Sequence, residues 1–114
     1  MRVRIIFGLK NKGAILPFHH QKLIANLLKE VIGNSVETHL EFFNFSGLKG
    51  QTKVVREGLS YFSKKVTIVF SSSKEKLIRE LLGKIFLRPT VQLGNLILEP
   101  EYAEEEIPPL FTSS

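Results

Sequence analysis

At 114 residues the chain is long enough for one two-layer core, and its lack of cysteine excludes disulfides and thiolate metal sites. Sixteen Lys and Arg outnumber eleven acids, for a net charge of +5. Five of those acids, Glu99, Glu101, Glu104, Glu105 and Glu106, crowd into one stretch, so residues 1–98 carry a net +10, the balance of a polyanion-binding body.

The elements follow in chain order. Residues 2–9 alternate, with Val3, Ile5 and Phe7 on one side and Arg2, Arg4 and Ile6 on the other, which predicts a half-buried strand. Asn11-Lys12-Gly13 reads as a turn, and Pro17 sits where a helix can begin. From about residue 18 to 32, Leu23, Ile24, Leu27, Leu28, Val31 and Ile32 recur at helical spacing, and Gly33-Asn34 supplies a stop. Leu40–Phe45 is a second strand with Phe43 and Phe45 on one face. Lys53–Arg56 and Leu59–Phe62 flank Gly58 and predict an extended hairpin arm rather than a tight turn. In that arm Phe62 is assigned to the core, and Tyr61 is left open between core and a base-stacking role.

Lys64–Ser71 alternates as a third main strand, Val66, Ile68 and Phe70 against Lys65, Thr67 and Val69. Ser72-Ser73-Lys74-Glu75 reads as a capping box opening a helix with Leu77, Ile78, Leu81, Leu82 and Ile85 as its apolar stripe. Pro89 ends that helix, and Thr90–Leu98 is a last strand interrupted at Gly94. The order β-α-β-β-α-β predicts an α+β, ferredoxin-like fold, an antiparallel sheet with two helices on one face. Each crossover is expected to join parallel neighbours. The other face, with Arg2, Arg4, Ile6, Lys65, Thr67 and Val69, is expected to meet RNA or a second domain. Residues 1–98 are thus read as the domain, and 99–114, with its prolines and like charges, as an acidic linker toward a missing second domain.

With this topology in hand, Leu16-Pro17-Phe18-His19-His20-Gln21 at the entry to the first helix resembles the repeat-RNA-processing endoribonucleases of CRISPR systems, members of the repeat-associated mysterious protein superfamily. The Phe-Phe-Asn-Phe-Ser-Gly-Leu strand after a histidine is similar to that family's aromatic-Ser strand. The Val-Thr-Ile-Val-Phe-Ser-Ser-Ser strand, a second helix and Val91-Gln92-Leu93-Gly94 follow in matching order. The resemblance implies two ferredoxin-like domains in tandem, of which this chain resembles the N-terminal half. The glycine-rich loop typical of the second domain has no match in this sequence. The family's chemistry would be metal-independent cleavage of repeat RNA by its own 2′-hydroxyl, leaving a 5′-hydroxyl and a 2′,3′-cyclic phosphate.

On that resemblance, His39 falls where the catalytic histidine would lie, and Lys49 is the nearby candidate to steady the phosphate. Lys29 takes a helix position where some members carry tyrosine. The bland readings are an exposed loop histidine and an ordinary turn lysine. Lys49, Lys53, Arg56, Lys64 and Lys65, with Tyr61 among them, are the candidate RNA contacts, and Arg2 and Arg4 are alternatives. His19 and His20 are read as structural, since adjacent residues at a helix start diverge and no third ligand is suitably spaced. No metal or cofactor is expected, and nucleotide-binding and hydrolase signatures are absent.

The expected partners are CRISPR repeat RNA and either effector-complex proteins or a second copy. No run approaches the ~20 apolar residues of a membrane span, and Arg2 and Arg4 break up any signal peptide, so a cytoplasmic location is expected. Two other readings stay open: a non-catalytic RNA-binding module of the same superfamily, and an unrelated ferredoxin-like interaction domain.

Overall fold

A computed structural model describes residues 1–33 and 43–106. Its elements are β1 (Arg2–Leu9), β2 (Ile15–Leu16), α1 (Gln21–Ile32), β3 (Phe43–Phe45), β4 (Thr52–Val55), β5 (Gly58–Tyr61), β6 (Lys65–Ser72), α2 (Glu75–Ile85), β7 (Val91–Leu93) and β8 (Leu96–Glu105). The main sheet runs β3-β6-β1-β8-β7, every neighbouring pair antiparallel. This is the predicted α+β ferredoxin-like arrangement. The crossovers differ from expectation in one respect: β1 and β3 are parallel, but β6 lies between them. Likewise β1 separates β6 from β8.

Both helices cover the face that carries Val3, Ile5 and Phe7. Ile24, Leu27, Leu28, Val31 and Ile32 of α1 and Leu77, Ile78, Leu81 and Ile85 of α2 form one core with those residues and with Val66, Ile68 and Phe70. Each helix supplies a stripe at i, i+3, i+4 spacing, so its burial follows from periodicity. Gly33, at φ +91°, ends α1 and donates its N–H to the Lys29 carbonyl. Two cations from the α2 end cap the carbonyls left open at the end of α1: Lys84 Nζ donates to Ile32 O at 3.0 Å and Arg88 to Glu30 O at 2.8 Å.

Helix starts depart from the sequence reading. Helix α1 begins at Gln21 rather than residue 18, because His20 turns its ring inward instead of continuing the coil. The capping box does not form: Ser72 ends β6, and its hydroxyl accepts the Lys74 N–H at 3.0 Å, so α2 starts at Glu75 with no side-chain cap.

The arm also differs. Strands β4 and β5 pair from Thr52↔Tyr61 to Val55↔Gly58, so only Arg56 and Glu57 form the turn, which is tight. The short β2 joins β5 on its other side, making a second, three-stranded sheet. A side chain at Gly58 would strike the Leu16 carbonyl oxygen, and its φ of +154° suits glycine.

The largest correction concerns the segment after Leu98. It is no linker as far as Glu105: β8 runs beside β1 from Leu9↔Leu98 to Val3↔Glu105, with a bulge at Ile6/Phe7 in which Glu101, next to Pro100, is the extra residue. The repulsion expected of its glutamates is answered by cations on the neighbouring strands. The preceding strand is not merely interrupted at Gly94 but reverses there, pairing Leu93 with Leu96.

Candidate nucleic-acid interface

The open face of the main sheet contains Arg2, Arg4 and Ile6 opposite Ser71, Val69 and Thr67, as alternation predicts. Strand β8 then lays its carboxylates over these cations. Arg2 Nε donates to Glu106 at 2.8 Å, and Arg4 bonds the other Glu106 oxygen and lies 3.6 Å from Glu104. Lys65 bonds Glu101 at 2.6 Å and sits 5.6 Å from the centre of the Tyr102 ring. The hydrogen bond to Glu101, then its charge, raises the Lys65 pKa above the ordinary lysine value. Lys10 pairs with Glu99 at 3.0 Å. Arg2, Arg4 and Lys65, three of the candidate RNA contacts, are therefore already engaged with carboxylates.

The small sheet is different. Lys49, Lys53, Arg56 and Lys64 are all exposed, and among the described residues none has a carboxylate partner. The root of the hairpin brings its two ends together. Phe62 N–H donates to Gln51 O at 3.1 Å, and Gln51 N–H donates to Ser63 Oγ at 3.2 Å, with Lys49 and Lys64 following just outside these bonds along the chain. Lys53 lies along β4 and Arg56 caps the turn.

The structure decides the role left open for Tyr61 and corrects the one assigned to Phe62. Tyr61 is fully buried, and its hydroxyl donates to Leu48 O at 2.7 Å, so it is not available to stack a base. Burial raises its pKa, which keeps the phenol a donor. Phe62, assigned to the core, is 48% exposed beside Lys64. The signal was present: counting by two from Leu59 places Tyr61 on the inward face and Phe62 off it.

His20 is buried, as its structural reading implied, and both of its ring nitrogens are used. Nδ1 lies 2.9 Å from the Pro17 carbonyl, and Nε2 accepts the Leu48 N–H at 3.1 Å. A carbonyl only accepts and an amide N–H only donates, so the ring is neutral with its proton on Nδ1. His19 is exposed. Lys29 lies half-buried in the last turn of α1. His39, the proposed acid or base, lies outside the described residues, four positions before the start of β3.

A shallow cleft of about 300 Å³ lies on the open face where β3 meets β6, lined by Arg2, Asn44, Ser71, Ser73 and Glu106 among others. Among the described residues no helix is long and apolar enough to cross a membrane.

Solved structures of the same fold include a CRISPR-associated protein Cas6 (TM-score 0.79, 19% identity, 95% of this chain and 49% of that one). Another is an RAMP protein described as binding different RNA substrates (0.79, 22%, 96% and 50%). A third is a Cas6-related protein from Pyrococcus furiosus (0.75, 16%, 95% and 50%). This chain spans about half the length of each. At these identities the likeness is one of fold, and it is the fold that the sequence resemblance implied. No family model and no curated protein matches the chain.

Proposed function

We propose that this domain binds CRISPR repeat RNA in the processing of precursor transcripts, gripping the backbone with the hairpin cations Lys49, Lys53, Arg56 and Lys64. The observation that carries the reading is the contrast in charge on a fold shared with Cas6 and an RNA-binding RAMP protein. Lys49, Lys53, Arg56 and Lys64 have no carboxylate partners among the described residues, whereas Arg2, Arg4 and Lys65 do. Lysines in such a row track phosphates, and an exposed ring such as Phe62 stacks an unpaired base.

The cleavage reading adds His39 as acid or base for attack of the RNA 2′-hydroxyl, with Lys49 steadying the charge on the phosphorane and Lys29 in the helix position. It needs no metal. The test is incubation of the protein, together with any sequence that follows Ser114 in its gene, with repeat RNA in excess chelator. Cleavage that persists in chelator and vanishes in His39→Ala supports it; cleavage retained by that variant removes His39 from the chemistry. Binding without cleavage supports a second reading, a non-catalytic module. The description of the RAMP neighbour by RNA binding favours it. Absence of salt-sensitive RNA binding would defeat both and leave an interaction domain.

A further inference from the structure

The loop from Ser46 to Lys49 has no regular structure, yet nearly every polar backbone group in it is held. Ser46 N–H donates to Val69 O at 2.9 Å, and its hydroxyl accepts the Val69 N–H at 3.0 Å. The Leu48 peptide is gripped at both ends by buried side chains from distant elements: His20 Nε2 takes its N–H and Tyr61 OH supplies a donor to its carbonyl. Lys49 follows, exchanging two backbone hydrogen bonds with Thr67 at 2.8 and 2.9 Å. Directly opposed residues of an antiparallel bridge share a face, so Lys49 shares the open side of β6 with Thr67.

Leu48 is itself buried, so its N–H and carbonyl must find partners inside the protein, and both come from side chains of distant segments rather than from a neighbouring strand. What the arrangement adds is a fixed backbone beneath one exposed lysine that has no carboxylate partner among the described residues. Gly47 fits the same picture. A Cβ there would stand 3.1 Å from His20 Nε2, so the absence of a side chain lets the imidazole reach the next peptide.

We propose that His20 and Tyr61 are positioning residues which, by clamping the Leu48 peptide, preset Lys49 as a phosphodiester-binding cation. This deepens the RNA-binding reading above and rests on it. A lysine on a mobile loop loses backbone freedom when it binds a phosphate, whereas one on a clamped loop has lost it on folding.

The test is a double-variant cycle on the full chain, with a mixed-sequence single-stranded oligoribonucleotide as probe and affinity measured from 0.05 to 0.5 M salt. Lys49→Ala is expected to weaken binding about five-fold at 0.1 M and to lower the salt slope by about 0.7, the value of one single-strand phosphate contact. Tyr61→Phe is expected to reproduce roughly two- to five-fold of that loss together with part of the slope change. Combined with Lys49→Ala, it adds no further loss. Gly47→Ala displaces the imidazole without touching Tyr61 or Lys49, and carries the same expectation should Tyr61→Phe fail to fold. Losses that multiply in the double variant, or clamp variants that leave the slope unchanged, overturn the proposal. So does Lys49→Ala without effect while Lys53→Ala and Lys64→Ala weaken binding, an outcome that leaves the RNA-binding reading intact. If none of the lysine variants weakens binding, that reading falls and the clamp proposal falls with it.

Discussion

Strands β1 and β8 and the hairpin β4–β5 are both rich in charge, yet they dispose of it in opposite ways. On the main sheet Arg2, Arg4 and Lys10 pair with Glu106, Glu104 and Glu99, and Lys65 reaches over β1 to Glu101. On the small sheet Lys53 and Arg56 project without a carboxylate partner among the described residues, as do Lys49 and Lys64 at its root. The lesson is that a charge count along the chain misplaces the surface it describes. The glutamates that look like a separate acidic tail are the neutralising half of β1, while Lys49, Lys53, Arg56 and Lys64 keep their charge without a carboxylate among the described residues, as do Lys12, Lys22 and Lys76. A partner's phosphate reaching Arg2 or Arg4 must displace a carboxylate, whereas at the hairpin it displaces only water and mobile ions.

The sharpest way to break this division is through the two neighbouring aromatics. Tyr61→Ala is expected to cost about 4 kcal/mol of stability, read by urea denaturation, because it empties a buried ring site and orphans the Leu48 carbonyl. A loss below about 1 kcal/mol would mean that Tyr61 is not core. Phe62→Ala should do the reverse. Its ring is half exposed, so stability changes by about 1 kcal/mol or less, while affinity for single-stranded RNA falls by roughly 1–2 kcal/mol through lost stacking. Unchanged affinity would remove Phe62 from the interface.

The smallest effect is expected on the paired face. Glu106→Gln frees Arg2 and Arg4, weakens the fold by only about 0.5–1 kcal/mol, and raises RNA affinity about two-fold or less at 0.1 M salt. A ten-fold gain in a filter-binding titration would show that the two arginines are RNA contacts held in check, and the contrast between regions would collapse.

Much of the fold was legible because period-two and period-3.6 patterns are strong in the buried elements. Val3-Ile5-Phe7, Val66-Ile68-Phe70 and the α1 and α2 stripes all fall on the predicted faces. What escaped depends on pairing between distant residues. Strand β2 has two residues and no period to read. Strand β8 beyond Leu98 looks like a repulsive run until Arg2, Arg4 and Lys65 are set beside it. The capping motif at Ser72 is overridden because β6 continues through that residue and pairs it with Phe43. At the candidate site, the hairpin lysines were read from their places bracketing the expected arm, and they are exposed in the structure. Phe62 was assigned to the core and Tyr61 left open because the alternation was not counted from Leu59. The His20–Leu48–Tyr61 contact joins three separate segments and leaves no mark on local sequence.

The measurement that bears most directly on the division is the salt dependence of RNA affinity in two variants. One carries Lys49→Ala, Lys53→Ala and Lys64→Ala; the other carries Arg2→Ala and Arg4→Ala. With single-strand contacts at about 0.7 each, the hairpin variant should lose about two units of slope and roughly a hundred-fold in affinity at 0.1 M salt, while the arginine variant keeps the parent slope. A slope that falls in the arginine variant and holds in the lysine variant would place the RNA over the carboxylate-paired arginines and contradict the account.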